Sequence, residues 1–142
     1  MTTQNISRSE GRHKKRDISV FACKIGVDEM FTSADVFQLA QLPKNIIIIS
    51  ASLTTIVAYN SATSAVLDIG WAGGDELFDG TNIKATAGTE VASSLVPLLA
   101  ETGGVLTAKP VFVGAPTAGE VLLTIEYVEY EQCTGELTNF VE

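Results

Sequence analysis

The sequence predicts an all-β protein: an antiparallel β-sandwich or jelly roll of about seven or eight strands with an extended basic N-terminal arm. Three observations support this prediction. Apolar residues recur at every second position in several stretches, which is the period of a half-buried strand. These stretches are rich in β-branched and aromatic residues, and short segments rich in Gly, Pro, Asn and Ser separate them. No segment has a convincing long helical period, so no layer of helices is expected.

Size and composition fit one folded domain preceded by a polar arm. The 142 residues are 46% hydrophobic and 18% charged, which is enough to bury a core. We assign residues 1–17 to the arm and residues 18–142 to a β-sandwich domain. The arm, MTTQNISRSEGRHKKRD, is polar and aperiodic, so we expect it to be disordered on its own. Its basic start is not followed by the apolar region of a signal peptide.

The formal net charge of −8 is divided unevenly between these two parts. Residues 1–16 contain one acidic and five basic residues and so carry +4, whereas the other 126 residues carry −12. The basic residues are Arg8, Arg12, Lys14, Lys15 and Arg16. A basic arm on an acidic body indicates that the arm has a charged partner.

The first two strands are predicted at residues 18–25 and 35–42, with a loop between them. Residues 18–25, ISVFACKI, alternate in the manner of a strand. A helical turn over SADVFQLAQL is the alternative for the second element, because Ser33 is a suitable N-cap and the apolar spacing fits a helix. Pro43 ends either element.

A long strand is predicted at residues 46–59, IIIISASLTTIVAY. The segment is too short for a membrane-spanning helix, and nine of its 14 residues are Ile, Val, Thr or Tyr, which favour strands. Its odd positions are nearly all apolar, whereas its even positions turn polar after Ile48. We therefore expect the odd face to be buried, and the first isoleucines to be covered on both faces.

A hairpin is predicted around the turn sequence NSAT at residues 60–63. The strand that follows the turn, AVLDIGW, places Ala65, Leu67, Ile69 and Trp71 on one face. Pairing of this strand with the long strand before the turn would give the hairpin.

The remaining strands are predicted in the last third of the chain. Residues 83–102 contain a short strand broken by Pro97, and residues 104–113 form another strand. Residues 121–132 form the last long strand, in which the apolar parity shifts after Tyr127. Such a shift indicates a bulge or a change of neighbour.

Residues typical of catalytic sites are scarce. The single histidine, His13, lies in the arm, and the sequence has no P-loop, dinucleotide fingerprint or zinc-ligand spacing. Cys23 and Cys133 have no metal or redox spacing, so Cys23 is interpreted as a core residue, with a Cys23–Cys133 bridge left open. We expect a protein that is not an enzyme and uses no cofactor or metal.

The acidic loop at residues 72–82 is the one segment where a ligand was considered. Its carboxylates, Asp75, Glu76 and Asp79, are suitable oxygen ligands for Ca²⁺, but their spacing does not match an EF-hand. We favour a solvated turn with Leu77 and Phe78 packed onto the core.

Carbohydrate binding is a further hypothesis for this region. Tyr59, Trp71 and Phe78 would offer sugar rings a stacking face if all three were exposed. Trp71 shares its strand parity with Leu67 and Ile69, which favours a core position for it instead.

The basic arm allows three interpretations: protein docking, nucleic acid binding and a solubilising tail. It has no aromatic residue for base stacking, and the body's charge of −12 opposes contact with phosphates. We therefore favour docking on an acidic protein surface over nucleic acid.

Three segments together resemble a family of small structural proteins of tailed bacteriophages, which includes head decoration (cement) and minor structural proteins. They are DVFQLAQLPKNIIIISASL, TSAVLDIGWAGGDELFDGT and GGVLTAKPVFVGAPTAGEVLLTIEYV, and the resemblance covers roughly residues 18–131. It implies a non-enzymatic virion protein with a β-sandwich or jelly-roll body, made in the host cytoplasm and bound to the capsid surface. The implied partners are the major capsid protein and further copies of the chain, as a homodimer or homotrimer, with no membrane.

The arm lies outside this resemblance, and its role rests on its charge. We expect Arg8 to Arg16 to extend over the capsid and pair with acidic residues there, clamping adjacent capsomers. A phage tail or fibre component, or a glycan-binding β-sandwich module, is the alternative, since both use the same fold class.

Overall fold

A computed structural model describes residues 17–28 and 32–130 of the chain. This part contains nine strands and no helix, so it has no helix able to cross a membrane. The strands are β1 (Ser19–Gly26), β2 (Phe37–Leu42), β3 (Ile46–Val57), β4 (Ser64–Trp71), β5 (Phe78–Asn82), β6 (Glu90–Ala92), β7 (Leu98–Ala100), β8 (Gly104–Val113) and β9 (Glu120–Glu129).

The strands form two antiparallel sheets that pack face to face. The five-stranded sheet has the order β1-β9-β3-β6, with β7 also paired to β3, and the four-stranded sheet has the order β2-β8-β4-β5. Successive strands pass repeatedly from one sheet to the other, so that β1 lies beside β9 and β2 beside β8, which is the arrangement of a jelly roll. The predicted fold class is confirmed.

The core lies between the inner faces of the two sheets. Period-two alternation brings apolar side chains of β3 and β9 into register on one side, as at the Leu53–Leu123 and Ala51–Ile125 pairs. The four-stranded sheet faces them with Leu67, which is fully buried. Each fully buried leucine or isoleucine among them stabilises the fold by about 1.5–3 kcal/mol relative to exposure.

The predicted hairpin between β3 and β4 is wrong. β3 pairs with β6, β7 and β9, whereas β4 pairs with β5 and β8. Residues 58–63 therefore cross from one sheet to the other. Both strands have one buried face, and these two faces meet across the core. Alternation shows that a strand has a buried face, but it does not show whether another strand lies beside it in the same sheet or opposite it in the other sheet.

The predicted buried face of β3 is right from Ala51 to Thr55, but it is wrong at the start of the strand and at Val57, which is 45% exposed beyond a second register shift. Ala51 and Leu53 are buried, as expected, but at the start of the strand Ile48 is buried while Ile49 is exposed. The pairing with β9 shifts register between Ile48 and Ser50, so Ile49 is an extra residue in a β-bulge. The bulge moves the buried positions from even to odd numbers.

This bulge lies opposite the parity shift that the sequence shows at Tyr127. Ile48 pairs with Tyr127, and Ser50 pairs with the preceding residue, Glu126. The expected irregularity is therefore present where β9 reaches Tyr127, but the additional residue, Ile49, belongs to β3 and not to β9. In the same sheet, the segment around Pro97 forms two short strands, β6 and β7, where one broken strand was expected.

The helical alternative for the second element is also wrong, because residues 37–42 form β2. Ser33 does not cap a helix. Its hydroxyl instead accepts a hydrogen bond of 2.9 Å from the N–H of Phe112 and donates one of 3.4 Å to the carbonyl of the same residue. The side chain thus fastens the loop before β2 to β8.

Candidate interaction surface

The five basic residues predicted as the docking site lie outside the described residues, as do His13 and Cys133. Their role therefore stays a prediction. The structure does show where the arm joins the body: β1 begins at Ser19, at one edge of the five-stranded sheet and opposite Tyr127 of β9.

Two carboxylates, Glu76 of the acidic loop and Asp68 of β4, tie the segment at residues 72–82 to β4. Glu76 Oε1 accepts a hydrogen bond of 2.7 Å from the N–H of Trp71, and Asp68 Oδ1 accepts one of 2.6 Å from the N–H of Gly80. Among residues 17–28 and 32–130, no group of three or more His, Cys, Asp or Glu side chains is arranged to hold a metal ion.

Leu77 and Phe78 are both buried in the core, as expected, but the predicted loop is too long, because its second half forms strand β5 (Phe78–Asn82), paired with β4. Close packing of the Glu76 carboxylate explains two of the glycines, since a Cβ at Gly70 or Gly74 would overlap this carboxylate. The loop is therefore built around a structural carboxylate.

The three aromatic residues considered for sugar stacking do not form an exposed face. Tyr59 is only 1% exposed, Phe78 is buried, and Trp71 packs partly against the core. The Tyr59 hydroxyl donates a hydrogen bond of 3.0 Å to the carbonyl of Ile25, and its ring stacks on Phe112 with the centroids 5.7 Å apart. No local sequence pattern indicates this role, because Tyr59 follows the end of β3 and both of its partners are distant in sequence.

The outer face of the five-stranded sheet is dominated by small and hydroxyl-bearing side chains. One row across it joins Ala22, Thr124, Ser52 and Ala92 on four adjacent strands. In the next row the Ser50 hydroxyl donates a hydrogen bond of 3.0 Å to a Glu126 carboxylate oxygen. Small side chains of this kind allow close contact with another surface.

An apolar patch lies at one end of this face, and we call it the Ile47 patch. Ile47 pairs with Leu99 of β7 on one side and with Val128 of β9 on the other. Leu99 is 54% exposed, and an open groove beside it is also lined by Tyr130. Ser19 pairs with Tyr127, so β1 begins at this same end of the sheet.

The fold has counterparts among solved phage capsid structures. One is a chain of the cyanophage Pam1 capsid asymmetric unit, which is 18% identical with a TM-score of 0.65, over 82% of this chain and 88% of that chain. Another, from the capsid of Ralstonia phage GP4, is 20% identical with a TM-score of 0.55, over 80% of this chain and 86% of that chain.

A third counterpart comes from the acidic stable capsid structure of Helicobacter pylori bacteriophage KHP30. It is 12% identical with a TM-score of 0.55, and the match covers 80% of this chain and 93% of that chain. No family model matches the sequence, and no curated protein matches it. At these identities the similarity establishes a shared fold.

Proposed function

We propose that this chain is a non-enzymatic virion structural protein: a capsid decoration or cement protein that binds the outside of a phage head. In this role it stabilises contacts between major capsid protein subunits. The observation that carries the proposal is the extent of the match, which covers at least 80% of this chain and at least 86% of each of three chains from phage capsids. Those chains are thus single domains of about this size, which favours a small separate subunit.

The Ile47 patch and the basic arm supply complementary contacts for docking. The patch offers exposed apolar surface, which contributes about 25 cal/mol for each Å² removed from water. The arm joins β1 at the same end of the sheet, so both contacts can reach one partner. A stable interface needs about 1,000 Å² or more, and the outer face beside the patch provides further contact area.

The five basic arm residues act mainly through long-range attraction to an acidic capsid surface. Exposed ion pairs contribute only about 0–1 kcal/mol each, and salt screens them. Affinity for a whole head then depends on many repeated contacts that follow the symmetry of the shell. We therefore expect binding that is saturable, fixed in ratio to capsid subunits and weakened by salt.

Co-sedimentation with phage heads that lack this protein tests the proposal. The full chain should pellet with heads at a fixed ratio to the major capsid protein. A chain of residues 18–142 should bind more weakly than the full chain, and the difference should shrink at high salt. If neither chain pellets with heads, the decoration role is wrong, and tail preparations and a glycan array are the next partners to test.

A matched pair of variants tests the Ile47 patch. Leu99→Asp places a charge on the patch, whereas Val113→Asp places one on β8 of the other sheet, and the two side chains are 54% and 50% exposed. We expect Leu99→Asp to reduce binding to heads at least tenfold and Val113→Asp to leave it unchanged. Equal effects of the two changes would contradict docking through the patch.

A further inference from the structure

β1 is the longest and most regular of the strands at the sheet edges. On the other side of its sheet, β6 and β7 have three residues each. In the four-stranded sheet, the edge strands β2 and β5 both have register shifts in their pairing. β1 instead pairs with β9 over eight residues without a shift. Short strands and bulges protect an edge against further pairing, and β1 has neither.

The backbone groups of alternate β1 residues point away from the sheet. Just beyond the strand, the N–H of Val27 donates a hydrogen bond of 3.1 Å to the carbonyl of Gly119. In an antiparallel ladder every second residue bonds the same neighbour, so odd-numbered β1 residues face β9. Val20, Ala22 and Lys24 therefore direct their N–H and C=O groups to the open edge.

The side chains of β1 are apolar and incompletely covered. On the core side, Phe21 and Cys23 are only partly buried. On the outer side, Val20 is 63% exposed, and Ile18 just before the strand is 54% exposed. Lys24 is the one charged residue of the strand. Within the described part of the chain, no strand pairs with β1 at Val20, Ala22 and Lys24 on this side, and such an edge with exposed apolar side chains is suited to pairing with another strand.

We propose that two copies of this chain associate through an antiparallel β1–β1 pair around a two-fold axis at Ala22. This deepens the proposed function by naming the surface of self-association. A joint sheet keeps its inner and outer faces only if residues of equal parity pair. With Ala22 opposite Ala22 of the second copy, Val20 of each copy lies opposite Lys24 of the other. The backbone groups of these three residues then form hydrogen bonds with the same three residues of the second copy. On the core side Phe21 meets Cys23, and both gain cover.

Charge supports this register. Residues 17–142 of each copy carry −12, so two bodies without the basic residues of the arm would repel each other. The antiparallel pair brings the start of each β1 to the far end of the other. The chain that leads into β1 of one copy therefore approaches the end of β1 of the other copy, near its exposed Asp28, and five basic residues precede Asp17 in the sequence.

The mass of the free protein in solution is the first test. Light scattering after size exclusion should give twice the chain mass of 15.0 kDa. Ala22→Pro removes an outward-facing N–H without removing a bond to β9, so it should give the monomer mass. Val20→Lys should do the same, whereas Val113→Lys on the other sheet should remain a dimer. Circular dichroism and thermal unfolding confirm that each variant is folded.

Cysteine cross-linking tests the register in chains that carry Cys23→Ser and Cys133→Ser. Ala22→Cys places two thiols across the axis, where the Cα atoms of paired residues lie about 5.5 Å apart, within the range of a disulfide. Val20→Cys is more exposed, but its two copies lie about 13 Å apart along the strands. Mild oxidation should therefore cross-link Ala22→Cys at least tenfold faster than Val20→Cys.

Several results would overturn the inference. They are a monomer or trimer mass for the natural chain, a dimer mass for a folded Ala22→Pro chain, or equal cross-linking of the two cysteine variants. Failure here is separable from failure of the proposed function. A monomer that binds heads leaves the decoration role intact, and a β1-linked dimer that does not bind them refutes only that role.

Discussion

Tyr59 links the two sheets from within the crossover at residues 58–63, and replacing it with Phe tests the hydrogen bond that its hydroxyl donates to β1. Its hydroxyl donates to the carbonyl of Ile25 in β1 over 3.0 Å. Its ring stacks on Phe112 in β8, with an interplanar angle of 17°. Tyr59→Phe keeps the ring and the stacking and removes only the hydroxyl.

The expected loss of unfolding free energy depends on whether the Ile25 carbonyl keeps another hydrogen-bond partner. Ile25 is an odd-numbered β1 residue opposite Val121, so its carbonyl faces β9 and keeps a partner in the ladder. The loss is therefore close to the net value of an ordinary hydrogen bond, about 1 kcal/mol. An orphaned carbonyl would cost about 1–3 kcal/mol instead. For a chain of this size, 1 kcal/mol corresponds to a fall in Tm of about 3–5 °C.

Urea unfolding, followed by circular dichroism and by Trp71 fluorescence, measures the difference in free energy of unfolding. Tyr130→Phe is the matched control, because Tyr130 lies partly exposed at the Ile47 patch, and we expect it to change stability by less than about 0.5 kcal/mol. Unchanged stability of Tyr59→Phe would refute the bond. A loss above about 3 kcal/mol would refute the inference that Ile25 keeps its ladder partner.

Three further predictions concern a glycine, the free thiol and the arm. Gly119→Ala should destabilise the fold by about 2–4 kcal/mol in urea unfolding, because its Cβ would overlap the Tyr59 ring. Gly80→Ala, which has open space but a φ of +59°, should cost only about 1 kcal/mol. Burial raises the pKa of the Cys23 thiol, so at pH 8.5 iodoacetamide should label it several-fold more slowly than free cysteine; equal rates would contradict this. A chain of residues 18–142 should keep the Tm of the full chain within about 2 °C, and a larger fall would show that the arm supports the body.

Strand positions were readable from the sequence where one face is buried along the whole strand. The strand predicted at residues 104–113 coincides with β8, and β4 buries Ala65, Leu67 and Ile69 on one face, as predicted. In each case alternation reports directly which residues face the core. Pro43 also marks the end of β2, since the strand stops at Leu42.

What the sequence could not predict depends on contacts between distant residues. The first four residues of β3 are all isoleucine, so the sequence does not show which of them face the core. The bulge at Ile49 therefore cannot be recognised from the sequence. The same alternation says that β4 has a buried face but not which strand lies beside it, hence the wrong hairpin. Tyr59 was weighed as a sugar-stacking residue because nothing local to it reveals Ile25 or Phe112.

The pairing of β1 with β9 gives the molecule a polarity that matters for peptide display. Ser19 meets Tyr127 at one end of the five-stranded sheet, whereas Gly26 meets Glu120 at the other. The loop at residues 114–119 belongs to that second end, about eight residues of strand away from the arm. If the chain docks on a phage head as proposed, a foreign epitope inserted there projects away from the docking end, whereas a tag fused beside the arm competes with the arm for space on the head.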